Sequence, residues 1–447
     1  MAVAALFALP FGALAATSPT LAVAGLLGLA FVALALYDVA AGLAAFVVLA
    51  LMEQAPPVAG SPVIKLAGAF LVLLLVRKQL RILRLVQYRP GVALVAVLFC
   101  AWAGASAFWA QDPDAAVASA ARFALGAIFL FAVYGAVRDR RHLVWLAYSF
   151  VLGALVTAVL GRAGPAPLEG ETSRLAGGVG NPNELASIIV AALALAAFGV
   201  AGTRRRSAQV FLGVSFCVLL FALFATGSRG GLVALVVAVF AAVALARPAR
   251  RRAIGVVAIA LASALFYYAL IAPPELRQHV TGFTEEGGAG RKDLWLVAAS
   301  VATDNPVLGA GAGNFRIVEA SFAAEAINLS QIRFIVDSPQ VAHNMFLGIS
   351  ADLGVVGLFL FLLLLGAVFS SALRAVGAAS RLDDRELEFL GRGVVVALIG
   401  VLVTAMFGSF EYEKHLWLLL GMATALSAVA PLGAQQRMET SMSLEET

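Results

Sequence analysis

The chain has 447 residues, 62% of them hydrophobic and only 13% charged, with 31 Lys and Arg against 26 Asp and Glu. Ordinary soluble domains run about 45–50% apolar and about 25% charged, so this balance argues against a water-soluble enzyme, a nucleic-acid binder or a disordered scaffold. The length allows roughly a dozen membrane-spanning helices of ~20 residues plus connections, and the net charge of +5 is informative through where each cation falls.

Apolar runs fall at 2–16, 20–36, 39–54, 62–76, 91–109, 120–137, 143–160, 183–201, 210–226, 231–246, 253–271, 343–370, 393–410 and 415–431. That makes 14 candidate spans, or 12 if the short N-terminal runs merge. The first run contains Pro10 and lacks a basic segment before it, so it is not read as a cleaved signal peptide. Cations cluster at every second connection: Arg77 to Arg89, Arg138 to Arg141, Arg204 to Arg206, Arg247 to Arg252 and Arg374 to Arg392. The positive-inside rule assigns these to the cytoplasm, and an even span count places both termini there. The expected organisation is a helical region over 1–271, an outer loop over 272–342, further helices over 343–431 and a cytoplasmic tail over 432–447.

The outer loop is too long for a structureless connection. Within it, Leu294, Trp295, Ala298 and Val301 recur at helical spacing, which predicts an amphipathic helix over 291–303 lying on the outer leaflet, with Trp295 at headgroup depth. Cys100 and Cys217 sit inside apolar runs, and the four histidines are scattered, which argues against a disulfide or a zinc site.

Several polar residues on the outer side need a cause. Arg174 precedes GGVGNPNELA, where Asn181 suits a helix cap, Pro182 the first helical position and Glu184 a capping box. Asn183 and Glu184 are also candidate substrate ligands, while Arg174 reads either as one or as a solvated loop cation. Arg229 sits in TGSRGG, where flanking glycines permit a sharp break. It reads as an anion clamp, since a guanidinium forks onto phosphate oxygens, or as a snorkelling arginine. Arg291 and Lys292 follow a glycine-rich stretch at a helix start, a setting that suits anions but also fits lipid phosphates nonspecifically. His343 and Asn344 open the run after the loop, where a neutral imidazole is suited to act as a general base. In the last outer turn, Glu411 to His415, Glu411 is the candidate site carboxylate. LGAGAGN at 308–314 lacks the preceding strand and downstream acid of a dinucleotide loop.

Taken together, GNPNELA (180–186), TGSRGGL (226–232), GRKDLW (290–295), DNPVLGAGAGNF (304–315) and AHNMFLGISADLGVVGL (342–358) resemble the O-antigen ligase superfamily, in that family's order. The resemblance implies an all-α polytopic transmembrane helical bundle of GT-C-like glycosyltransferase architecture, with one large periplasmic loop, in the bacterial inner membrane. It implies glycan transfer from undecaprenyl pyrophosphate to a periplasm-side acceptor, lipid A–core above all, without a metal, nucleotide or other cofactor and without nucleic acid. Arg229, Arg291 and His343 match the family's required positions, with Glu411 a less certain match for its acid. A polymerase using the same donor is the alternative within the family. A glycolipid transporter or flippase is the alternative outside it, although the internal repeats that such folds carry are missing from the sequence.

Overall fold

A computed structural model of the chain describes residues 19–53, 63–77, 90–160, 174–245, 255, 262–264, 266–281, 285–325 and 340–445. The expected run at 2–16, most of the basic segment after Arg77 and the basic cluster Arg247 to Arg252 lie outside the described residues. Fifteen α-helices are taken in chain order: α1 (Pro19–Tyr37), α2 (Val39–Ala50), α3 (Val63–Arg77), α4 (Pro90–Ala105), α5 (Pro113–Ala136), α6 (Arg140–Leu160), α7 (Pro182–Gly202), α8 (Arg206–Thr226), α9 (Arg229–Leu245), α10 (Pro274–Thr281), α11 (Glu285–Asp304), α12 (Phe315–Glu325), α13 (Met345–Arg381), α14 (Arg385–Ala405) and α15 (Lys414–Glu445). No strand occurs among the described residues, as expected where backbone groups in lipid must be satisfied within each segment.

Seven helical segments among the described residues are long and apolar enough to cross a membrane: Gly91–Phe108, α5, α6, α7, α8, α13 and α14. Shorter apolar helices accompany them, including α2, α9 and the Lys414–Ala430 part of α15. Of the 12 to 14 spans read from composition, several form helices below the usual spanning length of ~20 residues, while the run at 2–16 and much of that at 253–271 lie outside the described residues. The last helix continues to Glu445, through most of the expected tail.

Caps set the starts. Asp112 accepts from Ala115 N ahead of Pro113, Asn181 accepts from Asn183 N and Glu184 N ahead of Pro182, and Asp384 accepts from Leu387 N; each satisfies backbone donors that the first helical turn leaves without partners. Helices α7 and α14 form the centre and are buried along most of their length. Near the cation-rich end, Arg140 pairs with Asp384 at 2.8 Å and Glu386 at 3.1 Å, and Arg385 Nη2 donates to Ala201 O.

The amphipathic helix exists but starts earlier and faces inward. Leu294, Val297, Ala298 and Val301 of α11 pack with Phe315 and Ala323 of α12, Ala342, and Ala351 of α13 in a second hydrophobic cluster. Its apolar stripe is buried against protein, and the helix begins at Glu285 rather than at Arg291. Once that stripe docks, propagation costs less than nucleation, so the helix extends back through the glycines.

LGAGAGN is an anchor. Helix α13 breaks at Gly354 (φ 65°, ψ −170°), and Leu353 O accepts from Trp102 Nε1 at 3.0 Å. The loop supplies further partners: Val355 N donates to Pro306 O, while Ala310 N and Gly311 N donate to the carbonyls of Ala351 and Asp352. The Asp352 carboxylate accepts from Gly313 N and Phe315 N, both at 2.8 Å. A side chain at Gly309 would sit 2.5 Å from the Asp352 backbone, and its φ is +71°, so only glycine lets the two chains meet.

Candidate functional site

The helix starts at one end of the bundle converge. Arg229 is the first residue of α9, where helix-terminal N–H groups add positive character. The turn before it is rigid: Thr226 Oγ1 donates to Leu223 O, Ser228 N donates to Thr226 Oγ1, and Gly231 N donates to Ser228 Oγ. Gly227 adopts φ +59°, with Leu276 lying where a side chain would be. Asn183, in the first turn of α7, is the hub. Its Oδ1 accepts from Ser228 Oγ at 2.9 Å and from Arg174 Nη2 at 3.3 Å. Arg174 Nε donates to Thr226 O at 2.9 Å.

Arg291 reaches the same place from the outer loop. Trp295, one turn later, donates from Nε1 to His343 O at 3.4 Å and sets its ring 6.2 Å from Phe407. Phe407 also covers Gly230, beside Arg229. Trp295 therefore joins α11 to His343 and to the end of α14, in place of the headgroup position expected from its helical spacing.

Electrostatics report the convergence. Burial lowers the Arg174 guanidinium to about 10, with the charges of Arg291 and Arg229 adding to the effect and Tyr268 opposing it. Arg291 is lowered by burial and then by Arg229. The His343 ring is pushed down from the usual histidine range by burial and then by Arg291. Three half-buried guanidiniums and a half-buried imidazole thus share one field, in an arrangement suited to an anion of more than one charge. His343 also holds φ +47°, a left-handed conformation uncommon for a residue with a side chain; such strain gathers at functional positions.

The remaining sequence candidates divide. Asn344 is the N-cap of α13, with Oδ1 accepting from Phe346 N and Leu347 N. Lys292 is exposed on α11. Glu184 faces the Glu413 carboxyl. Glu411 lies near Asp352 and Glu413, and burial followed by those two negative groups raises its carboxyl to about 8, against a lowering by its own backbone. Sequence reasoning missed Ser228 and Phe407, and gave Trp295 only a place at headgroup depth. Ser228 lies beside a motif residue, but nothing in the spacing singles it out, and the other two matter through tertiary contacts.

A polytopic helical membrane protein with a cationic cluster at one end of the bundle is the class that fold and site define. The family model described as O-antigen ligase matches residues 214–362, a segment that holds Arg229, Arg291 and His343, and this match supports the resemblance to that superfamily. Arg174, Asn183, Glu184 and Glu411 fall outside the matched segment. No curated protein matches the chain. A chain of the solved structure described as "Structural coordination of polymerization and crosslinking by a peptidoglycan synthase complex" is similar with a TM-score of 0.40 and 16% identity, over 76% of this chain and 97% of that one; a likeness that low carries no argument.

Proposed function

We propose that this protein is an inner-membrane glycosyltransferase that moves a glycan from undecaprenyl pyrophosphate to a hydroxyl acceptor on the periplasmic face, as an O-antigen ligase acting on lipid A–core. The convergence of Arg174, Arg229, Arg291 and His343 into one field carries this reading. The acceptor oxygen attacks the anomeric carbon, the bond from that carbon to the pyrophosphate oxygen breaks, and the lipid pyrophosphate leaves with its electron pair. The guanidiniums meet the charge that grows on the leaving group. His343, held neutral near pH 7 by burial and Arg291, takes the acceptor proton. Lys292, exposed on α11, serves as an outer contact to the glycan, and the apolar helices hold the polyprenyl chain. The proposed fold is a GT-C-like bundle whose remaining spans include the shorter apolar helices.

The test is glycan transfer from a purified lipid-linked donor by Arg229→Ala, Arg291→Ala and His343→Ala variants of verified fold. Loss of one transition-state donor costs about 10²–10³-fold in turnover, and that is the expected result; three fully active variants would reject the reading. Deleting the gene separates ligase from polymerase. A ligase defect strands long chains on undecaprenyl pyrophosphate, whereas a polymerase defect leaves single repeats on the core.

A further inference from the structure

One polar cluster lies beside the arginines without taking part in their chemistry. Glu184 in the first turn of α7, Glu413 just before α15 and His415 in the first turn of α15 each present a ligand atom, and these atoms lie within 4.8 Å of one another. His415 is 2% exposed. Two facing carboxyls and an imidazole in a low-dielectric setting call for a positive charge between them. The adjacent Lys414 is paired with Glu53.

A buried relay orients the imidazole. Thr404 Oγ1 lies 2.7 Å from Val401 O and 2.8 Å from Ser187 Oγ, and Ser187 Oγ lies 3.2 Å from His415 Nε2. A partner on one ring nitrogen orients a metal-binding histidine in the same way.

We infer that Glu184, Glu413 and His415 bind a divalent metal ion of the zinc class, which clamps the first turn of α7 to the first turn of α15. Two carboxylate oxygens and one imidazole nitrogen are a zinc donor set, with water completing the tetrahedron. Closing to ligand separations of about 3.4 Å, as bonds of about 2.1 Å require, needs side-chain movement of an ångström or so. The clamp holds Asn183, next to Glu184, and through it Arg174. The inference does not depend on the glycan-transfer reading.

The experiment uses the full-length protein in detergent, stripped with chelator and re-equilibrated with Zn²⁺. Metal content by mass spectrometry should reach about one Zn²⁺ per chain, with a rise of a few degrees in Tm. Glu413→Gln and His415→Gln should abolish both. Where a variant does not fold, the wild-type chain decides by metal content and Tm together. A wild-type chain that takes up no stoichiometric Zn²⁺ or shows no rise in Tm, its carboxyl pair holding a proton in place of the metal, overturns the inference. So does a folded variant that binds as much as the wild type.

Discussion

Asn183 Oδ1 accepts from both Ser228 Oγ and Arg174 Nη2, so one amide oxygen fixes a guanidinium and the turn before Arg229. Replacing it with Leu removes a hydrogen bond to a charged group, a loss of about 1.5–3 kcal/mol. The expected outcome for Asn183→Leu is a donor KM raised about 10- to 100-fold, read by steady-state kinetics, with the Arg174→Ala variant showing no further loss when the two are combined. His343 sets a second expectation. Its pKa lies below the usual histidine value because of burial and Arg291, so the neutral base is present at pH 7. The transfer rate should stay level from pH 7 to 8 and fall only below the ordinary histidine range. A fall already complete at pH 7 contradicts that role.

At the scale of elements, the outer segment hangs on Asp352 and Glu319. Asp352 satisfies Gly313 N and Phe315 N, and Asp352→Ala leaves two backbone donors without their partner, at about 1–3 kcal/mol each where water does not replace it. Hydrogen exchange over 310–318 should accelerate while exchange in α7 and α14 stays unchanged. Glu319 is 1% exposed and accepts from Gln340 N, and burial raises its carboxyl to about 7 despite the lowering by that N–H and by Arg316. The folded form therefore holds a proton that the unfolded segment releases near pH 4.5, and stability falls as pH rises from about 4.5 to 7. Protection of α12 against exchange should be greater at pH 5 than at pH 8, and Glu319→Gln should flatten that difference.

Over the whole molecule, the two ends of the bundle differ in chemistry. One gathers Arg138 to Arg141, Arg204 to Arg206 and Arg381 to Arg385, tied by the Arg140–Asp384 pair. The other gathers Arg174, Arg229, Arg291 and His343. Single cysteines placed at Arg141 and at Leu308 in a cysteine-free background should be labelled from opposite sides of sealed vesicles; labelling from the same side would reject the expected topology. Much of this was legible early. Lipid solvation followed from composition and the helix start at Pro182 from cap chemistry, whereas the start at Pro113 lies seven residues ahead of the apolar run at 120–137. The direction in which α11 buries its stripe was not, because amphipathic spacing reads the same against lipid as against protein. Nor was LGAGAGN as an anchor, since its partners at Ser106, Asp112 and Asp352 are distant in the chain.

The sequence by itself determined the solvent of this protein, the clustering of its cations at alternate connections and the residues worth attention, because hydropathy and charge act locally along the chain. The tertiary structure alone decided that Arg174 joins Arg229 and Arg291, that Trp295 braces His343, and that Glu184 meets Glu413 and His415. Those facts depend on which helix ends pack together, and side-chain contacts between α7, α9, α11 and α15 cross spans that no local spacing encodes.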